Sequence, residues 1–298
     1  RPGEAFAFRS GRWERFSAPE ATESRLLSLA NAAAVYAGLP FGPGSPILSA
    51  ALPGGERAQF VRPPAVSAGL LSVTIRKPAR ETRRLEHYVE SGFFSAGEAA
   101  GAGPGAAERL RRLHRAFQAP GAAPLEAARA KAAFLELAVC SGCNIVIAGE
   151  TGSGKTTFMK ALMQAIPETE RILTIEDVPE LLYGLPRHGN QVNLFYPSEA
   201  REGDPVTASA LLRSALRMKP DRILVAELRG GETFDFLSAC LTGHGGSITS
   251  CHAGSASEAI EYLILKTLQS EAGSRLTESA IRRLIGACVD IVVHVTAA

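Results

Sequence analysis

Residues 149–156, Gly-Glu-Thr-Gly-Ser-Gly-Lys-Thr, follow directly on the apolar run 144–148 and open a helix-patterned stretch over 155–166. A G-x-x-x-x-G-K-T turn between a strand and a helix is a phosphate-binding loop. Its glycines let successive backbone N–H groups converge on phosphate oxygens, at a helix N-terminus whose dipole already favours anions. The loop also constrains the fold, because the strand ahead of it must sit in a sheet and the helix behind it must cover one face. Lys155 is expected to reach the β- and γ-phosphates of a nucleoside triphosphate as a point charge. The Thr156 hydroxyl is expected to join a Mg²⁺ coordination shell made mostly of phosphate oxygens and waters.

The texture around the loop agrees. After Pro124, strand signals at 144–148, 171–176, 222–227, 247–251 and 289–295 alternate with helix signals at 155–166, 206–217, 233–241, 255–268 and 277–286. Apolar strands without a regular polar face, alternating with helices, predict a mostly parallel sheet covered on both sides. Ahead of Pro124 the pattern is a helix over 20–37, capped by Thr22 or Ser24, then short strands at 47–52, 58–62 and 71–77. Leu71, Val73 and Ile75 alternate with Ser72, Thr74 and Arg76, which is a strand with one buried face and Arg76 pointing away from it. The Ala/Gly-rich segment 95–107 reads as a flexible surface loop, and the Pro-rich break at 119–124 as a linker. The expected organisation is an α+β domain over 1–118, a linker over 119–124 and an α/β phosphate-loop domain over 125–298.

Hydrolysis needs acids beside the phosphates, and these must come from other strand ends. The run 172–175 leads into Glu176 and Asp177, and the run 223–226 leads into Glu227. Glu227 is assigned to the attacking water and Glu176 to the Mg²⁺ shell, with the two roles exchangeable, so that Thr156, Glu176 and Glu227 form the candidate metal set. A Gly-rich turn at 242–246 leads into a further strand with His252 at its end, placed to hydrogen-bond the γ-phosphate.

Composition excludes little beyond this. The 298 residues are 46% apolar and 21% charged with a formal charge of +2, a globular chain and not a polyelectrolyte. The charge is uneven, sixteen basic against ten acidic groups over 1–124 and sixteen against twenty over 125–298. Five cysteines without framework spacing fit a reducing compartment, and the Cys140/Cys143 pair is read as packing residues. No apolar run reaches the roughly 20 residues of a membrane span. A start at Arg1 and a stop inside a strand-like run fit a fragment of a longer chain.

Four ordered segments then carry a resemblance: GETGSGKTT at 149–157, TIEDVPEL at 174–181, ALRMKPDRILVAELRGGE at 215–232 and TGHGGSITSCHAGS at 242–255. They look like the phosphate loop, aspartate box, atypical Walker B and histidine box of the secretion ATPase superfamily. With GGERAQF at 54–60 and VTIRKP at 73–78, the chain is most similar to the traffic ATPases of bacterial type IV secretion, of the VirB-operon type. The resemblance implies a RecA-like ATPase domain behind a small α+β domain, in a homo-hexameric ring that hydrolyses ATP with Mg²⁺. Gly149, Glu150, Thr151, Gly152, Ser153, Gly154, Lys155, Thr156 and Thr157 would hold the nucleotide. Arg57 and Arg76 would reach it from the N-terminal domain, and ATP would draw the two domains together about the 119–124 linker. Implied partners are inner-membrane components of the secretion channel and a protein or protein–DNA substrate, with the ring peripheral at the cytoplasmic face of the inner membrane. Competing readings are a pilus extension or retraction ATPase, a type II secretion ATPase, a non-hydrolysing nucleotide-gated scaffold and a RecA-like nucleic-acid binder. The acidic C-terminal half, without a basic stripe and interleaved aromatics, argues against the last of these.

Overall fold

The computed structural model describes residues 3–78, 84–90, 106–119, 121, 123–201, 203–243 and 245–296. Most of the expected 95–107 loop lies outside the described residues, as does His244 of the Gly-rich turn. The chain opens with a hairpin of β1 (Glu4–Arg9) and β2 (Arg12–Ser17). Its two-residue turn, Ser10-Gly11, takes positive φ at both positions, as a tight right-twisted hairpin requires. Helix α1 (Glu23–Ala37) follows, with Thr22 accepting from Arg25 N as its cap and left-handed Gly38 ending it.

Strands β3 (Ile47–Ala51), β4 (Arg57–Val61) and β5 (Ser72–Arg76) form an antiparallel sheet in that order. One face carries Leu48, Ala50, Ala58, Phe60 and Val73 against Ala30, Ala33 and Ala34 of α1, where small helix residues allow close approach. Gln59 and Thr74, register partners, lie on the opposite face, which meets the larger body.

After α2 (Leu85–Glu90), α3 (Ala106–Gln118) and α4 (Pro124–Cys140) come the parts of that body. These are β6 (Ile145–Ala148), α5 (Lys155–Met163), β7 (Ile172–Glu176), β8 (Gln191–Phe195), α6 (Ala208–Ala215), β9 (Arg222–Val225), α7 (Glu232–Leu241), β10 (Ile248–Cys251), α8 (Ala256–Thr267), α9 (Glu278–Cys288) and β11 (Ile291–His294). Among the described residues the strands pair in parallel, in the order β11-β6-β10-β9-β7-β8. Side chains alternate across this sheet as the period of two demands. Ile145 and Ile147 pack with Val139 and Met159 under α4 and α5, while Val146 and Ala148 pack with Leu211, Leu237, Leu263 and Ile281 of α6 to α9. The α/β architecture expected from the sequence is what the chain adopts.

The β1/β2 hairpin, α2, α3, α4 and β8 went unread in the sequence. Helix α4 is Ala-rich, so its faces differ little in polarity, and β8 is an edge strand with Gln191 and Asn193 interrupting its apolar character. Phe117 of α3 stacks edge-on against Phe134 of α4, and Leu110 of α3 packs on the same core layer as Leu135. Residues 119–124 therefore join two helices that pack on one another. Of the cysteine pair, Cys143 is half-buried against this core, but Cys140 is exposed at the end of α4.

The small sheet is tied to the large one at several points. Val61, Ala65 and Val66 bury in the α6–α9 side of the core, and Phe195 N donates to Ala65 O at 3.0 Å. Buried Gln59 Nε2 donates to Ser214 Oγ of α6 at 2.8 Å. Arg171, just ahead of β7, donates to Thr74 Oγ1, and the β1/β2 hairpin is tied separately, Trp13 Nε1 donating to Asp221 Oδ2 at 2.7 Å.

Candidate functional site

The phosphate loop runs from the end of β6 into the first turn of α5. Gly152 and Gly154 have φ of +80° and +88°, which any side chain would strain, and Gly154 is the N-cap of α5. Gly149 answers a different constraint: a Cβ there would come within 2.5 Å of both Ser153 Oγ and the Val295 carbonyl oxygen. Gly149→Ala is expected to cost about 1–3 kcal/mol of unfolding free energy through overpacking, read by urea titration, and to slow any chemistry the loop supports. Lys155 is buried along its stem, and its ammonium donates to Gly149 O and Glu150 O at 2.9 Å each.

The loop is one end of a line of charged groups along the edge where β6, β10, β9 and β7 finish, four neighbouring strands of the sheet. His252, after β10, has Nδ1 3.4 Å from Lys155 Nζ. Its Nε2 lies 2.5 Å from Glu227 Oε1, beyond the end of β9. Glu227 Oε2 accepts from Arg229 Nε at 2.6 Å. The same guanidinium donates through Nη1 to Asp177 Oδ2, which also accepts from Ser198 Oγ. Parallel strands end on one edge, so residues distant in sequence meet there. Lys155, Glu227 and His252 meet at this edge.

Glu176 is not part of this line. Its carboxylate turns back under the short 3₁₀ turn Leu181–Tyr183 and accepts from the backbone N–H of Glu180, Leu181 and Leu182, at 2.7, 2.6 and 3.2 Å. Burial pushes its carboxyl above the usual range even against those three donors. In this arrangement the carboxylate is turned to the three amides and away from the loop, where it was expected among the Mg²⁺ ligands. The acid that faces the site from β7 is the next residue, Asp177. Burial would raise its carboxyl, but the hydrogen bonds from Arg229 and Ser198 outweigh that and hold it below the usual range.

Arg57 and Arg76 are likewise not brought to the loop within this chain. They are register partners at one end of the small sheet, exposed, with no ion pair to any described residue. Thr74, two positions before Arg76, meets Arg171 at the edge where β7 begins, and the loop lies past the opposite end of the strands. Asp177 and Ser198 were not assigned from sequence, and neither was Arg229. Arg229 had a signal, a cation two residues after a strand-end acid, but nothing in the spacing said which acids it joins.

A nucleoside triphosphate with Mg²⁺ fits the loop residues. Ser153 Oγ is buried in the loop without a hydrogen-bond partner, an acceptor and donor pointed into the turn. Among the described residues no three His, Cys, Asp or Glu side chains gather as a metal cage, so a cation here would draw its ligands mostly from phosphate and water, with Thr156 from the protein. No helix among them is long and apolar enough to cross a membrane.

A family model described as type II/IV secretion system protein matches residues 110–293. The type IV secretion system protein VirB11 of Brucella abortus is 50% identical over 300 residues, 99% of this chain and 78% of its own length. The type IV secretion system protein PtlH of Bordetella pertussis is 44% identical over 299 residues, 99% of this chain and 83% of its own. A crystal structure of the VirB11 ATPase from the Brucella suis type IV secretion system, in complex with sulphate, shares the fold with a TM-score of 0.85 at 49% identity, covering 99% of this chain and 82% of that one. With more than half of its residues matched by the family model and relatives this similar along its whole length, the chain belongs to the type II/IV secretion system protein family.

Proposed function

We propose that this protein hydrolyses ATP with Mg²⁺ and, as a homo-hexamer, powers assembly of a bacterial type IV secretion system or passage of protein or protein–DNA substrate through it. The observation that carries the reading is the contact line from Lys155 through His252 to Glu227, with a cation, an imidazole and an acid at successive strand ends beside the glycine loop. Gly149 to Thr157 hold the phosphates, and the Lys155 ammonium leaves its two loop carbonyls for the β- and γ-oxygens. Thr156 holds the Mg²⁺, whose contribution when bound is to neutralise charge on those oxygens. Glu227 Oε1, which faces His252 beside the loop, orients the attacking water and takes up its proton. His252 faces the γ-phosphate and senses its loss.

Arg57 and Arg76 lie too far along the small sheet to serve their own chain's loop. In a ring they face a neighbouring chain's nucleotide, where a free guanidinium can clamp phosphate. The ring sits at the cytoplasmic face of the inner membrane against channel components; the similarity to the type IV secretion system proteins VirB11 and PtlH supports a place in that machinery. Phosphate release by the purified chain, with ATP and Mg²⁺ and again with excess EDTA, tests the activity. Release is expected only with the metal, and light scattering is expected to give six times the chain mass. ATP binding without any phosphate release would instead favour a nucleotide-gated scaffold.

A further inference from the structure

Arg229 joins two acids from adjacent strands that would otherwise repel. Asp177 follows β7 and Glu227 follows β9, the two strands are register neighbours, and both carboxylates are largely buried, with 9% and 12% of their side-chain surfaces exposed. The planar guanidinium spans them with separate nitrogens, Nε to Glu227 and Nη1 to Asp177. Its own backbone is also fixed: Glu232, at the start of α7, accepts from Arg229 N and Gly230 N. Asp177 is held in turn by the Ser198 hydroxyl at 3.0 Å and by the N–H of Val178. Each group in the chain Ser198, Asp177, Arg229, Glu227 thus fixes the rotamer of the next. Only one oxygen of Glu227 is engaged by it, and the other is left facing His252.

We infer that Arg229 is a positioning residue for hydrolysis: anchored by Asp177, it holds Glu227 Oε2 so that Oε1 is presented to the space beside the phosphate loop. The inference rests on the ATPase reading above and adds to it the group that sets the geometry of its acid. A glutamate left to itself samples several rotamers, and a displacement of about 1 Å at a reacting group costs about 10²-fold in rate. Lysine is a poor substitute, since one ammonium cannot span both carboxylates in a fixed fork.

The test is single-turnover phosphate release, with affinity for a fluorescent ATP analogue measured separately, on wild type, Arg229→Gln, Arg229→Lys, Asp177→Asn and Glu227→Gln, and on the Arg229→Gln/Glu227→Gln pair. Arg229→Gln is expected to slow release by about 10²-fold with affinity within about twofold of wild type. Arg229→Lys is expected to recover only part of the rate. Asp177→Asn should slow release in the same direction by less, which keeps the test open if Arg229→Gln folds poorly. In the Glu227→Gln background, Arg229→Gln should add no further loss, because a residue that acts through Glu227 has nothing left to position. Multiplying losses in the pair would overturn the inference, and so would lost affinity at an unchanged rate. An active wild type with an unaffected Arg229→Gln sinks the inference alone, whereas a wild type without turnover sinks the ATPase reading and this with it.

Discussion

Lys155→Ala is expected to lower phosphate release by at least about 10²–10³-fold, the scale for removing one preorganised donor from developing negative charge. The ammonium is held ready by two loop carbonyls at 2.9 Å, so it moves only locally to reach the phosphates. Folding should survive the change, because those carbonyls belong to a turn whose shape is set by the glycines at 149, 152 and 154. Urea titration alongside the assay separates the two effects. Wild-type turnover in Lys155→Ala would remove the phosphate loop from the mechanism altogether.

The second large effect is a contrast between two acids that look alike in sequence, each at the end of an apolar strand. Glu227→Gln is expected to slow turnover by about 10²–10⁴-fold, the range for losing a general base, with unfolding free energy close to wild type. Glu176→Ala is expected to do the reverse. It strips the acceptor from the backbone N–H groups of Leu181 and Leu182, while Glu180 N keeps a second acceptor in Val178 O at 2.8 Å. Unpartnered buried donors cost about 1–3 kcal/mol each, so a loss of roughly 2 kcal/mol or more is expected in a urea titration. Glu176→Gln should be milder, since one carbonyl oxygen remains to accept. If Glu176→Ala instead melted like wild type and had lost its metal dependence, Glu176 would belong to the Mg²⁺ shell after all.

That contrast shows where the sequence was legible. The parallel sheet, the loop and the strands bearing Glu227 and His252 could all be read, because each rests on a local pattern: a period of two, a period of 3.6, or a fixed glycine–lysine spacing. Helix α4 was missed where that pattern is weak, in an alanine-diluted segment whose two faces differ little.

The amino-acid order by itself determined the fold class, the phosphate turn and which strand ends carry acids, since these depend on neighbours within a few residues. Only the tertiary structure decided which acid faces the loop. Successive residues at a strand end point to opposite sides, so Glu176 turned to the amides of the turn beyond it and left Asp177 to meet Arg229. It likewise decided that Arg57 and Arg76 stand away from their own loop, because the packing of Gln59 on Ser214 and Arg171 on Thr74 fixes how the small sheet lies on the large one. Contacts between residues 97 to 155 positions apart set that arrangement, and no spacing along the chain records them.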